Sequence, residues 1–296
     1  MTETMRENSH RAADAPPASE SRTDALVDAI GQRHDPAGDG ARIVSLVPSL
    51  TELLFDLDLG SSVVGRTGFC VHPREQVRAV PRVGGTKDVN LDKLRALAPT
   101  HVVLNIDENE KPLADALRAF VPHLIVTHPK SVQDNLGLYQ LLGAVFDRQQ
   151  RAQQLAQALS DELDATTRGQ HASARVLYLI WRAPWMTVSP DTYIARMLAL
   201  AGLVAVAPDT GKRYPEFDFE QFGADRFDAL LLSSEPYRFG QLHLEQLAAD
   251  PRVRRRPAML VDGQMLSWYG SRAIAGLRYL RAMRTELDAL LAGAVS

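Results

Sequence analysis

The sequence predicts an α/β protein of two similar lobes, each a mainly parallel sheet flanked by helices. One long rigid helix joins them, and a ligand cleft lies between. Three observations predict this. Short apolar runs alternate with amphipathic segments, the pattern of parallel strands covered on both faces. The pattern runs twice, and NLDKLRALAPTHVVLN (90–105) matches DFEQFGADRFDALLLS (218–233) without a gap. Between the halves lies FDRQQRAQQLAQALSDELDATTRG (146–169), where Ala152, Leu155, Ala156, Leu159 and Leu163 recur at helical spacing.

Residues 1–40 are rich in Ala, Pro, Ser, Asp, Glu and Arg, with only Ala25–Ile30 mildly apolar, which predicts a disordered tail. The N-terminal lobe is expected at 41–146, the interlobe helix at 147–169 and the C-terminal lobe at 170–296. Asp147 with Gln150 reads as a capping box, and Gly169 as the residue that ends the helix in a left-handed conformation. At 1.5 Å rise per residue such a helix is a rod of about 30 Å.

RIVSLV (42–47) is a buried strand bounded by Pro48, and Ser49 with Glu52 forms a second capping box on the helix that follows. Val63–Gly65 is a weaker strand leading into Thr67-Gly68-Phe69-Cys70. Asn90 caps a short helix, and Val102–Leu104 is a strand ending in the polar string Asn105–Asn109. Pro112 starts a helix, Leu124–Thr127 is a strand, and Ser131 with Asp134 opens the helix before the long one. In the second half RVLYLI (175–180) is a strand, Asp191 opens a helix, and Phe219–Phe222 is a short helix. Ala229–Leu232 and Met259–Asp262 are strands around a helix at Leu244–Leu247. Ser271 caps a terminal helix carrying Ile274, Leu277, Leu280 and Leu287 on one face.

Composition narrows the function. The chain has 296 residues, a net charge of −3 and 45% hydrophobic residues, a globular composition with no basic excess to favour nucleic acid. The run Arg252, Arg254, Arg255, Arg256 reads as a solvated turn. Its single cysteine, Cys70, excludes an internal disulfide. No apolar h-region marks a secretory signal, and no stretch reaches the length of a membrane span. Nucleophile-elbow, P-loop and dinucleotide glycine motifs are missing, and the histidines lack metal-ligand spacing. Cys70 and His72 stand too close in one loop to face each other as a catalytic pair, so no enzyme is expected.

The chemistry-bearing residues collect after strands. Trp181, Trp185 and Trp268 lie there, with Phe69, Tyr214, Tyr237 and Tyr269 in comparable loops. Core aromatics sit inside elements, so this clustering points to an aromatic cleft for a large flat ligand, or to rings that pin loops. Asp107, Glu108, Asn109, Arg182, Glu235, Asp262 and Arg272 lie at the same level. Arg182 and Arg272 can meet carboxylates or phosphate on a ligand, or pair with Glu235 or Asp262 and brace loops. Ligands in open α/β sheets sit beyond the strands' carboxyl ends, which places the site between the lobes.

RIVSLVPSLTELLFDLDLGSSVVGRTGFCVHP and VPRVGGTKDVNLDKLRALAPTHVVLN resemble the helical-backbone substrate-binding proteins of ABC importers. Among these the likeness is greatest to the cobalamin-binding proteins, with siderophore and haem binders as relatives. WRAPWMTVSPDTYIARML and VDGQMLSWYGSR resemble the second-lobe loops of a cobalamin binder, and the likeness spans roughly residues 41–290. The resemblance implies two lobes on a rigid helix with little closure, a non-enzymatic monomer with no intrinsic cofactor, and a permease dimer as partner. It implies a ligand that is a cobalt corrinoid or an iron chelate, and docking through one carboxylate per lobe, here Asp92 and Glu220. Acidic residues in a first helical turn also simply favour the helix dipole. The ligand aromatics map onto Phe69, Trp181, Trp185 and Trp268, while Asn105–Asn109 replaces an aromatic-containing loop and leaves corrinoid precursor, haem and ferric chelate open. The resemblance implies a periplasmic location; a cytoplasmic corrinoid- or tetrapyrrole-handling protein is the alternative, and a hydrolase-like enzyme a third reading.

Overall fold

The computed structural model describes residues 26–169, 171–253 and 256–295. In the first half strands and helices alternate: β1 (Ile43–Ser45), α1 (Pro48–Asp56), β2 (Val63–Arg66), α2 (Leu91–Ala96), β3 (His101–Asn105), α3 (Lys111–Arg118) and β4 (His123–Thr127). The strands are all parallel, in the order β2-β1-β3-β4. Two helices follow, α4 (Asp134–Val145) and α5 (Gln149–Thr167). The second half runs β5 (Ala174–Trp181), β6 (Trp185–Thr187), α6 (Tyr193–Ala199), β7 (Leu203–Ala205), β8 (Glu216–Phe217) and α7 (Phe219–Phe222). It ends with β9 (Ala229–Ser233), α8 (Gln241–Ala249), β10 (Ala258–Val261), α9 (Gly263–Ser267) and α10 (Arg272–Val295).

The second sheet repeats the first. Its parallel neighbours β7-β5-β9-β10 take the order of β2-β1-β3-β4. The long β5 pairs β7 through Ala174–Val176 and, further along, the antiparallel β6 through Leu179 and Trp181; β8 adds to β6. The gapless sequence match is therefore α2–β3 laid on α7–β9. Both helices are capped as the match implies: Asn90 accepts from Lys93 N, and Asp218 accepts from Glu220 N and Gln221 N. β3 and β9 are buried along their whole length, which is why their residues read as unbroken apolar runs.

One apolar core spans both halves. It runs from Ile43 through Leu50 and Leu54 of α1, Leu142 of α4 and Leu159 of α5 to Tyr178, Met197, Leu277 and Leu280. Smaller clusters fill the outer face of each sheet, around Val102 and Leu124 in the first and Leu177 and Leu230 in the second. Pulling the halves apart would expose side chains of the shared core at roughly 1.5–3 kcal/mol each. Lobe geometry is fixed by packing as well as by the linking helix.

Four sequence expectations are corrected. The long helix starts at Gln149, not Asp147, which sits at φ 53° in the left-handed region that Asp tolerates; Arg148 precedes the helix with no side-chain cap. Gly169 does not adopt positive φ, and Arg168 ends the helix. Ser49 and Glu52 make no capping box: α1 begins with Pro48 after Val47, Ser49 is buried and Glu52 turns to Arg272. Ser271 Oγ, the expected cap of α10, has no hydrogen-bond partner among the described residues.

Thr192, not Asp191, caps α6 through Ala195 N, and residues 26–40 are a further correction, since the composition placed them in a disordered tail. Ala29 N donates to Val126 O at 2.9 Å, Val126 N donates to Asp28 Oδ2 at 3.0 Å, and Ala37 N donates to Val145 O at 2.7 Å. The segment covers the edge of β4 through the Ala29 backbone and the Asp28 carboxylate and meets the end of α4 through Ala37, bonds that leave no hydrophobic pattern to read. Residues 1–25 of that tail lie outside the described residues. No helix among the described residues is long and apolar enough to cross a membrane.

Candidate functional site

The carboxyl ends of the two sheets meet over a bolted floor. Gly270 adopts φ 80°, and a Cβ there would lie 3.1 Å from Ser49 O, so the α9–α10 turn presses directly on α1. Its N–H donates to Asn135 Oδ1 at 2.6 Å and its carbonyl accepts from Tyr139 Oη at 2.9 Å, both on α4. Next to it Arg272 donates to both carboxylate oxygens of Glu52, at 2.7 and 2.6 Å. The Arg272 guanidinium lies 4.9 Å from the Trp268 ring, and His72 meets the same ring edge-on at 5.7 Å. Trp268 Nε1–H donates to Glu235 Oε1 at 2.6 Å. These contacts hold residues of the first half, Glu52 and His72, against Trp268, Arg272 and Glu235 of the second.

A second bridge crosses higher up. The Asn105–Asn109 loop is knitted by its own amides: Asn105 N donates to Asn109 Oδ1, Asp107 N to Asn105 Oδ1, and Asn109 Nδ2 to Thr86 O. Buried Asn105 and Asn109 thereby hold out Ile106, Asp107 and Glu108. Arg213 of the second half pairs with Asp107 and donates to Asp191 O, and its guanidinium faces the Tyr214 ring at 5.9 Å.

Electrostatics set the acid groups apart. Glu108 reaches solvent, but protein surrounds it on both sides of the cleft; this desolvation, then Asp107 and Glu235, raise its pKa, and Lys87 only partly offsets them. Glu235 is raised as well, chiefly by burial, against the hydrogen bonds from Trp268 and Ser267. Burial pushes the phenols of Tyr214 and Tyr269 upward, and Glu108 and Asp107 add to both. Tyr269 Oη is buried beside Ser49, whose side chain acts on the phenol against that burial.

The predicted residues separate into two groups. Glu108, Tyr214, Glu235 and Trp268 lie near one another with Tyr269 buried beneath, while Phe69, on a loop, and Trp181, at the end of β5, stand 63% and 40% exposed. Arg182 and Trp185 belong to the second half instead. Arg182 donates to Gln246 Oε1 and faces Trp185, which packs on Phe219 and Phe239. Tyr237 lies between the groups, edge-on to Trp181, its hydroxyl bonded to His243 Nε2. Asp107 and Arg272, expected to meet a ligand, are engaged by Arg213 and Glu52, and Arg272 chooses neither Glu235 nor Asp262. Asp262 caps α9 instead.

Asp92 and Glu220 occupy the same position, second in the first turns of α2 and α7, and both are exposed. Cys70 is fully buried between the Thr51 and Thr67 hydroxyls, and burial raises its pKa, so it is no nucleophile. Among the described residues no three His, Cys, Asp or Glu side chains gather to hold a bare metal ion. Sequence reasoning missed Glu52, His72, Lys87 and Arg213 as cleft groups; their partners lie far away in sequence, and no local spacing marks them. Surface hollows elsewhere among the described residues include one of about 510 Å³ between residues 27–29 and α4, one of about 490 Å³ beside residues 38–41 and 146–149, and one of about 210 Å³ beside Arg182 and Trp185.

A family described as periplasmic binding protein matches residues 43–259. A vitamin B12-binding protein of Pectobacterium carotovorum subsp. carotovorum is 21% identical over 251 residues, 83% of this chain and 89% of its own length. An uncharacterized ABC transporter substrate-binding lipoprotein of Bacillus subtilis, YvrC, is 32% identical over 126 residues, 41% of this chain and 39% of that protein. Among solved structures, the periplasmic vitamin B12 binding protein BtuF of Vibrio cholerae superposes with a TM-score of 0.71 at 18% identity, covering 83% of this chain and 97% of that one. The apo periplasmic heme-binding protein RhuT of Roseiflexus sp. RS-1 gives 0.70 at 25% identity, covering 87% and 100%.

Proposed function

The chain belongs to the periplasmic binding protein family, the non-enzymatic receptors of transport, and on that premise we propose that it carries a metal chelate to the permease dimer of an ABC importer. The cargo is a cobalt corrinoid or an iron chelate such as haem or a ferric siderophore. The relatives support both, being named for vitamin B12 and for heme. The proposed division is an N-terminal lobe at 41–146 with residues 26–40 packed against it, a linking segment at 147–169 built on α5, and a C-terminal lobe at 170–296, acting as a monomer in the periplasm. Asp92 and Glu220 are the proposed permease contacts, one from each repeat.

One observation carries the choice of a large flat cargo. Phe69 and Tyr214, on loops, and Trp181, at the carboxyl end of β5, are 63%, 41% and 40% exposed, and Trp268 is half-buried. Large aromatic rings left uncovered at strand ends support a binding role, and flat conjugated ligands stack on such rings. The test is the absorption spectrum of protein recovered from its native host, followed by titration with cobalamin, cobinamide, haemin and ferric siderophores. A bound chromophore or micromolar saturable binding is expected; a colourless protein that binds none of the four overturns the reading.

A further inference from the structure

With the two halves packed on one core, cargo does not enter or leave by a wide hinge, and side chains that span the cleft control its passage. This step rests on the proposal that the cargo sits in the cleft. Arg213 and Asp107 span it from strand-end loops: Asp107 follows β3, and Arg213 stands between β7 and β8. At 29% and 30% exposure the pair lies nearer solvent than Arg272 and Glu52, at 10% and 17%. Each partner is anchored in its own half. Ile106 N donates to Thr127 O at 3.1 Å and Asp107 N to Asn105 Oδ1 at 2.8 Å, which fixes the Asp107 backbone. Ser189 N donates to Arg213 O at 2.8 Å, and Arg213 Nε donates to Asp191 O at 2.9 Å. What is free to change is the contact between guanidinium and carboxylate. A third side chain stands beside it. His128 Nε2, on the loop after β4 in Asp107's own half, lies 3.3 Å from Oδ1, the oxygen that Arg213 holds. That nitrogen is buried and completes no hydrogen bond among the described residues. A buried polar atom left unpaired is costly, so turning Asp107 onto His128 recovers part of what parting from Arg213 loses.

We propose that Arg213, Asp107 and His128 form a latch that sets the rate of cargo exchange. In the closed arrangement Asp107 holds Arg213 across the cleft. In the open one Asp107 accepts from His128 Nε2, and Arg213 swings into its own half about its bond to the Asp191 carbonyl. Cargo passes only in the open arrangement. The latch closes over the empty and the loaded cleft alike, so it slows entry and release by the same factor and leaves affinity nearly unaltered.

Stopped-flow tryptophan fluorescence on the full chain measures both rate constants, with whichever of cobalamin, cobinamide, haemin and a ferric siderophore binds. R213A and D107N should each raise association and dissociation at least fivefold and by matching factors, leaving Kd within about twofold. Fivefold is about 1 kcal/mol at 1.4 kcal/mol per tenfold, the upper end of what an ion pair open to water holds. H128F should lower both rate constants at least twofold, because Asp107 then has no second partner. Added salt should narrow the gap between the wild type and R213A, since it screens the closed pair. Thermal melts confirm folded variants, and the salt series on the unaltered protein reads the latch without relying on any one of them. A pair that merely braces its loops would raise dissociation alone and weaken Kd. That result overturns the inference, as do rates unmoved in R213A and D107N, or an unchanged or faster H128F; each leaves the transport reading standing. Binding of none of the four chelates removes that reading, and the inference with it.

Discussion

Removing Arg272 should unfasten the two halves at the point where the sequence is least able to announce the contact. Its two bonds to Glu52, 2.7 and 2.6 Å, join residues 220 positions apart, and the side chains are only 10% and 17% exposed. A pair that sheltered lies between an exposed ion pair, worth about 0–1 kcal/mol, and a fully buried one, where deleting a partner costs about 3–5 kcal/mol. Partial exposure discounts the second figure, so R272A and E52A should each lose about 2–3 kcal/mol of stability, roughly 4–8 °C in Tm. The double variant should lose less than the sum by about 2 kcal/mol, because either substitution alone strands a charge. R272K should fall between, since an ammonium cannot reproduce the two-pronged contact or the stack on Trp268. Urea unfolding of the four proteins measures the coupling. Additivity within about 0.5 kcal/mol would refute the claim that this pair fastens the halves.

Two further outcomes follow from other sites. His101 stacks on His123 at 4.7 Å and meets Phe146 edge-on, and burial lowers its pKa from 6.5 to about 4. Between those values the unfolded chain binds a proton that the native state refuses, so stability should fall by up to about 3 kcal/mol as pH drops from 6.5 to 4; urea midpoints of H101Q should show a shallower slope than the wild type. Reversing both exposed carboxylates in D92K/E220K should abolish uptake in whole cells while cargo affinity stays within about twofold and stability within about 0.5 kcal/mol. Uptake that survives removes both residues from the docking face.

What could be read from the sequence was whatever repeats locally. β3 and β9 are unbroken apolar runs because both faces are covered, and the Asn90 and Asp218 caps hydrogen-bond within their own first turns, so the two-fold repeat was legible. The capping boxes at Asp147 and Ser49 failed for a related reason: the pattern is local, but the competing demand is tertiary. Asp147 turns the chain between two helices, and Glu52 is taken by a partner in the other half. The cleft was half legible. Aromatics after strands marked its position, but Trp185 looks the same in sequence as Trp268, and only packing on Phe219 and Phe239 draws it away. Residues 26–40 were lost because polar bonds to an edge strand, from the Ala29 backbone and the Asp28 carboxylate, leave no hydrophobic periodicity.

The central claim, a cleft held at nearly constant width by a core that both halves share, is best tested by a distance. Spin labels on D92C and E220C report it by pulsed dipolar spectroscopy, since Cys70 is fully buried and should stay unlabelled. Spectra are taken without cargo and with saturating cobinamide, or with whichever chelate the titrations identify. A shift of the main distance by less than about 2 Å is expected, the behaviour of a preorganised receptor. A shift beyond about 5 Å on cargo binding would mean a hinge that the shared core should forbid, and would contradict it.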